Sequence, residues 1–365
     1  MKQTILLIDD KSEFLAPLAE ALAQKLGETA NVVPWVPNST ERPLEKFEQL
    51  VQDNDVRLVV TDYDLTQQGQ LGFFGATVVD WCQVKGIPVG DFSRGNASSL
   101  ATEPNLFELR VPIQSNDAAV DFIASVFRGF IEIRANIDSN PVLLKQRSPA
   151  AALALMLGVG HLESQFSQYG TRYGGANSAL IDKFVETAHR DVTPDPSRKA
   201  TLLAYIMGHL LHNAVLRFPG PIVSSEALAA YLAVNQSDQE KYLPMFAPAL
   251  FKGPFSELDS YYWTHSVDEV LAQYDEKVSE DMQFESTGEY NRIRVETALQ
   301  TTLKQSTDCL RCNGKNGGFW CPFSRKAVCQ RSDCSIVSNV WIPSGARLAR
   351  FERDFYEEWA PILGM

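Results

Sequence analysis

Two short apolar runs, each ending in acids, constrain this 365-residue chain more than anything else in it. Ile5-Leu6-Leu7-Ile8 delivers Asp9 and Asp10, and Leu58-Val59-Val60-Thr61 delivers Asp62, with Asp64 just behind. Runs of four or five apolar, partly β-branched residues between polar segments read as strands buried on both faces, as inside a parallel sheet. Ligands of open α/β sheets bind outside the carboxyl ends of the strands, so these acids stand where chemistry is expected. Three converging carboxylates repel one another unless a hard cation sits among them, and oxygen-only ligation suits Mg²⁺. A divalent ion beside a carboxylate is what phosphoryl transfer to that carboxylate requires.

Helical patterns separate the runs. Phe14, Leu15, Leu18, Ala19, Leu22 and Leu26 recur at three- and four-residue steps after Ser12, read as the cap, and Leu44, Phe47, Leu50 and Val51 repeat the spacing. Alternating strand and helix is the signature of a parallel sheet covered on both faces.

This arrangement resembles the receiver domain of two-component response regulators, over roughly residues 1–135. The resemblance implies a flavodoxin-like α/β fold with a five-stranded parallel sheet. It also implies that Asp9 and Asp10 are the metal-binding acidic pair, and that Asp62 is the phospho-acceptor and a third Mg²⁺ ligand. Ile87-Pro88-Val89-Gly90-Asp91-Phe92-Ser93 looks like the fourth strand, ending in the residue that serves that family as the switch, here Ser93. The fifth strand would be Leu106 to Pro112, and here the chain departs from the pattern. A receiver has Lys-Pro at this point, whereas Val111 precedes Pro112. Arg110 is the nearest cation, one residue early, and a strand sends neighbours to opposite faces. Either a bulge turns Arg110 inward as a substitute for the lysine, or that phosphoryl contact is missing. The partners implied are a histidine kinase or phosphotransfer protein upstream and a further protein downstream, with a homodimer contact as another form of output.

Length and 45% hydrophobic content suit two or three folded domains and exclude a disordered chain. A formal net charge of −12 argues against broad affinity for nucleic acid or anionic membrane. The N-terminus enters a strand at once without a secretion-type segment, and the longest apolar stretch, Ala150 to Gly160, is too short to span a bilayer. The expectation is a cytoplasmic protein without a membrane partner. After an apolar stripe of Val120, Ile123, Phe127, Phe130 and Ile131, capped at Asn116, the breakers Asp138-Ser139-Asn140-Pro141 and Ser148-Pro149 predict a linker at 136–149. Residues 150–305 read as a mostly α-helical output domain. Residues 306–365 read as a Cys-rich segment with a C-terminal helix in which Phe351, Phe355, Tyr356 and Trp359 recur at helical steps.

Cys309-Leu310-Arg311-Cys312 is a C-x2-C knuckle, followed by Cys321, Cys329 and Cys334 among Gly314, Gly317, Gly318 and Pro322. Two Cys at this spacing reach one ion, and glycine relieves the backbone that curls around it. Four thiolates suit structural Zn²⁺, from Cys309 and Cys312 with two of the other three; an iron–sulfur cluster would use the same number. Cys82 reads as a core thiol.

From Lys304 to Arg350 eight cations face two acids, with Phe319, Trp320, Phe323 and Trp341 interleaved. The alternative function is therefore nucleic-acid binding by this segment through phosphates and base stacking, although acidic neighbours docking on it explain the charge better. Ser224 to Val234 resembles the first helix of a helix-turn-helix, but Asp238 and Glu240 would then face phosphate. His209 and His212 share a helix face, no hydrolase, metalloprotease or Walker pattern occurs, and Gly170 to Gly175 follows a helix instead of a strand. The sequence thus favours a signalling protein over an enzyme, with a non-phosphorylated pseudo-receiver scaffold as a further alternative.

Overall fold

The computed structural model describes residues 2–37, 42–62, 65, 73–92, 106–107, 109–112, 114–170, 196–278, 283–284, 286–306, 308–315, 317–321, 325–329, 331 and 334. Ser93, Asp64, residues 171–175 of the Gly-rich stretch and the C-terminal helix expected around Phe351 to Trp359 lie outside the described residues. The chain forms two compact units. The first holds Met1–Ser99, Asn105–Gly160 and Tyr173–Asn213, and the second Leu100–Pro104, His161–Arg172 and Ala214–Met365.

In the first unit β1 (Gln3–Ile8), α1 (Ser12–Leu26), β2 (Ala30–Trp35), α2 (Pro43–Asp53), β3 (Val56–Asp62), α3 (Gly75–Lys85), β4 (Val89–Phe92) and β5 (Leu109–Arg110) alternate. The five strands form one sheet in the order β2-β1-β3-β4-β5, every pair parallel. That order is the flavodoxin-like form of the doubly wound sheet. Ile5 to Ile8 and Leu58 to Val60 are buried, as the two-sided burial of central strands requires. Leu6, Ile8 and Val59 pack with Phe47, Val78 and Cys82, which confirms Cys82 as a core thiol. The edge strand β2 carries Pro34, whose missing N–H is tolerated at an edge.

Two expected caps shift by one residue. Ser12 is the first residue of α1, and its turn is held instead by the Lys11 N–H donating to Asp9 Oδ1 at 2.8 Å. Ser115, not Asn116, caps α4 (Asn116–Ser139), accepting the Ala118 N–H at 3.1 Å. The breakers at 138–149 do end that helix, giving way to a 3₁₀ turn at Pro141–Lys145 and to α5 (Pro149–Met156), capped by Ser148. These elements belong to the sheet's own unit. So does α7 (Pro196–Leu210), which follows α6 (Glu163–Gly170) of the second unit. A Cβ on Gly208 would lie 2.2 Å from the Phe130 ring, so α7 approaches α4 closely only because residue 208 has no side chain. Arg134 Nη1 donates to Thr201 Oγ1 at 2.6 Å across the same packing.

The second unit holds α8 (Ser225–Tyr231), α9 (Thr264–Ala272) and α10 (Thr287–Leu299). It also holds two strand pairs, one inside the segment 150–305 that reads as mostly helical and one inside the Cys-rich segment. β6 (Ile222–Ser224) pairs antiparallel with β7 (Tyr261–Trp263), and β8 (Phe319–Cys321) with β9 (Lys326–Val328). Three-residue strands are too short to present a period of two. Leu228, Tyr242, Phe246, Val267, Leu271, Val295 and Trp320 form one buried cluster here. No helix among the described residues is long and apolar enough to cross a membrane.

Candidate metal centres

β1 and β3 are adjacent and parallel, with Ile8 opposite Thr61, so the residues just beyond that register, Asp9 and Asp62, emerge together at the carboxyl edge. Asp9, Asp10 and Asp62 each bring a carboxylate oxygen to within 4.8 Å of the other two, and all three are buried or nearly so. Oxygens of an octahedral Mg²⁺ shell at about 2.1 Å from the ion are ~3 to ~4 Å apart, so this donor set fits a hard cation after a small closure. Waters would complete the shell, as Mg²⁺ ordinarily retains several.

β4 and β5 continue the edge. Phe92 lies opposite Asp62, and Asp91 opposite Arg110, with no register shift in either pair. Arg110 is exposed. Val111 is buried, with its Cγ2 3.0 Å from where a Cβ of Gly90 would stand. The position where the receiver resemblance would put a lysine therefore supplies an apolar contact.

The second centre is built on β8–β9. Cys309, Cys312, Cys329 and Cys334 bring their sulfurs to within 4.8 Å of one another. Cys312 Sγ and Cys329 Sγ are 3.8 Å apart. Tetrahedral Zn²⁺ with Zn–S of about 2.3 Å places sulfurs ~3.8 Å apart, which this pair matches. Of the five candidates Cys321 falls outside the set, although it is buried in the same cluster. Its carbonyl accepts the Arg325 N–H at 2.8 Å, closing the hairpin.

The knuckle is shaped by backbone bonds. Cys309 N–H donates to Gly314 O and Asn313 N–H to Cys309 O, both at 2.8 Å, and Leu310 N–H donates to Ala327 O at 2.9 Å, tying the knuckle to β9. A Cβ on Gly317 would lie 2.2 Å from the Asp308 carbonyl atoms, so the chain can cross there only as glycine. Burial pushes the Cys309 thiol up, but backbone N–H groups of Cys312, Arg311 and Cys329 favour its thiolate more strongly and leave it at about 6. Burial and the neighbouring sulfurs push Cys334 up to about 12. One thiolate thus forms readily, and a cation is what would draw protons from the rest.

Three cations of this segment have partners within the second unit. Arg325 Nη2 is 2.8 Å from Asp259 Oδ2 and 3.6 Å from Glu226 Oε2, Lys315 pairs with Asp308 at 3.1 Å, and Arg311 donates to Cys334 O. Trp320 is buried in the unit's core and Phe319 packs on the cysteines. Trp341, Phe323, Arg347 and Arg350 lie outside the described residues. Ser224 does cap α8, but the helix is largely buried, and Asp238 accepts Lys241 Nζ and the Lys304 N–H, each at 2.7 Å. That acid clamps the segment leading towards the knuckle, a role invisible in the sequence because Lys304 lies 66 positions away.

His209 and His212 do not converge on a metal-ligand set among the described residues. His209 is fully buried against the rings of Phe107, Phe130 and Tyr205, and that burial first, then His212, lowers its pKa well below the ordinary range. Asn213 Nδ2 donates to Leu106 O at 2.6 Å, and Asn213 Oδ1 lies 2.7 Å from His212 Nδ1. The helix widens to a π turn over Leu211–Val215 where these contacts form. Comparison of the chain with protein-family models, with curated proteins and with solved structures finds no match.

Proposed function

We propose that the first unit is a response-regulator-like receiver, in which Asp62 accepts a phosphoryl group while Mg²⁺ is held by Asp9, Asp10 and Asp62, and that the second unit is its metal-stabilised output module. The observation that carries this reading is the convergence of three carboxylates at the carboxyl edge of a sheet ordered β2-β1-β3-β4-β5. Mg²⁺ would neutralise part of the charge that develops on the transferring group. The attacking Asp62 oxygen forms a bond to phosphorus as the donor's leaving group departs with the electrons of the broken bond. The added negative charge then shifts the balance between two packings of similar energy, with Ser93 as its contact. A histidine kinase or phosphotransfer protein is the donor and a protein partner the receiver of the signal. Zn²⁺ on Cys309, Cys312, Cys329 and Cys334 supplies fold energy to a segment with few apolar residues of its own.

Buried Val111 and exposed Arg110 favour a second reading, a pseudo-receiver that holds the cation and binds partners without turnover. Intact-protein mass after incubation with a small phosphodonor and Mg²⁺, beside Asp62→Asn, separates the two. One phosphoryl adduct on the wild type alone supports the switch. No adduct under conditions that label an ordinary receiver refutes it in favour of the scaffold.

A further inference from the structure

Arg325 stands where the Cys hairpin touches a pair of acids from elsewhere in its unit. Its backbone is left-handed, with φ 49°, a conformation that a non-glycine residue keeps only when its surroundings hold it. Those surroundings are the end of β8 and the start of β9: the Arg325 N–H is bonded to Cys321 O, and β9 leads within one residue of its end to Cys329. The guanidinium reaches out to Asp259, ahead of β7, and to Glu226, in the first turn of α8. Asp259 Oδ1 also accepts the Ser225 hydroxyl at 3.1 Å and the Ser260 N–H at 2.7 Å.

We propose that Arg325 is a charge latch that couples metal occupancy of the four-cysteine site to the start of α8 through the acid pair Asp259 and Glu226. This rests on the reading of Cys309, Cys312, Cys329 and Cys334 as a metal site. With the ion bound, Cys329 pins the C-terminal end of the hairpin and the guanidinium stays within 2.8 Å of Asp259 and 3.6 Å of Glu226. With the ion removed, Cys329 loses its anchor and the hairpin keeps the β8–β9 ladder, the Leu310–Ala327 bond and buried Trp320, while the arginine, whose side chain is 57% exposed, is released into solvent.

The pair left behind cannot stay doubly charged. The Asp259 side chain is only 13% exposed and shares its surroundings with Glu226 and the rings of Tyr261 and Tyr262. Burial, then Glu226, already push Asp259 up to about 6 with the guanidinium in place. Without it, one proton moves from solvent onto the pair, and it returns to solvent when the metal rebinds. Protonated Asp259 then accepts the Ser225 hydroxyl and the Ser260 N–H less strongly, and α8 loosens at the end where Ser225 begins it.

The test uses the full chain, stripped of metal, with Zn²⁺ titrated calorimetrically at pH 6.5 in buffers of different ionisation enthalpy, so that protons released per metal are counted. Wild type should release up to one proton more than Arg325→Gln, and Asp259→Asn should match Arg325→Gln. Hydrogen exchange of wild type should rise several-fold at residues 225–231 on chelation, a readout that needs no variant. Equal proton counts in the three proteins, or unchanged exchange at 225–231, overturn the latch. Co²⁺ absorption in the thiolate charge-transfer region separates the two levels of failure. A band with equal counts overturns the latch alone, whereas no band overturns the metal reading and the latch with it.

Discussion

Replacing Gly317 by alanine should abolish tight metal binding, while the same change at Gly314 should scarcely affect it. At Gly317 the added carbon would meet the Asp308 C and O at 2.2 Å and the Cys309 N at 2.4 Å. Ordinary contact lies near 3.5 to 4.0 Å, so backbone on one side or the other must retreat by over ~1 Å. These atoms carry the first ligand of the knuckle, and a metal site tolerates ligand displacements of only about ±0.2 Å. A shift several times larger takes Cys309 out of the shell, leaving three thiolates. At Gly314 the nearest atom is the Cys312 sulfur at 3.2 Å, which needs to give by only a few tenths of an ångström. We expect at least ~100-fold weaker Zn²⁺ binding for Gly317→Ala, or ~2.8 kcal/mol at ~1.4 kcal/mol per tenfold, and less than ~10-fold for Gly314→Ala. Competition against a chromophoric chelator measures both. Equal affinities for Gly317→Ala and wild type would refute the argument that this crossing shapes the knuckle.

Other outcomes follow from single contacts. Asp238→Ala removes the charged acceptor shared by the Lys304 N–H and Lys241 Nζ and should cost ~1–3 kcal/mol in urea unfolding of the second unit. Its hydrogen bonds to Lys241 and Lys304 hold Asp238 below the usual carboxylate range. The stability it adds is therefore present above ~3.9 and lost as pH falls through the lower folded value; this acid-side step should vanish in Asp238→Asn. Buried His209 must stay neutral in the folded state, so below pH ~6.5 the unfolded chain alone gains its proton and stability falls by up to ~1.4 kcal/mol per pH unit. The difference in unfolding free energy between wild type and His209→Leu, followed from pH 7 to 5, isolates that slope; a constant difference would contradict it. Asp10→Asn should weaken Mg²⁺ binding at the acidic site at least ~10-fold by removing one of three carboxylates, read by Mn²⁺ titration as a paramagnetic probe.

The parallel sheet and its acids were legible because burial on both faces leaves an unbroken apolar run, and the polar residue that ends such a run marks the strand's carboxyl end. The Cys309–Cys312 half of the four-sulfur cluster was legible for a similar reason, since C-x2-C spacing is a local geometric requirement. Strand β2 was not. Its Pro34 and half-exposed residues give no continuous pattern, and only its place at the sheet edge makes that sequence acceptable. The one-residue shift from Asn116 to Ser115 has the same origin: either side chain can cap, and the chain's entry into α4 chooses.

What the amino-acid order settles here is which segments are apolar, which must turn, and which carry metal-ligating groups, all properties of neighbours within a few residues. What the tertiary fold alone settles is pairing. Cys321 was as eligible as Cys329 by composition, yet the β8–β9 ladder places it opposite Lys326 and leaves it out of the four-sulfur set. Arg325 meets Asp259, 66 positions earlier, and Lys304 meets Asp238 across the same separation. Coulomb and hydrogen-bond energies depend on distance in space, which at such separations is set by the path of the backbone and not by the residues in between.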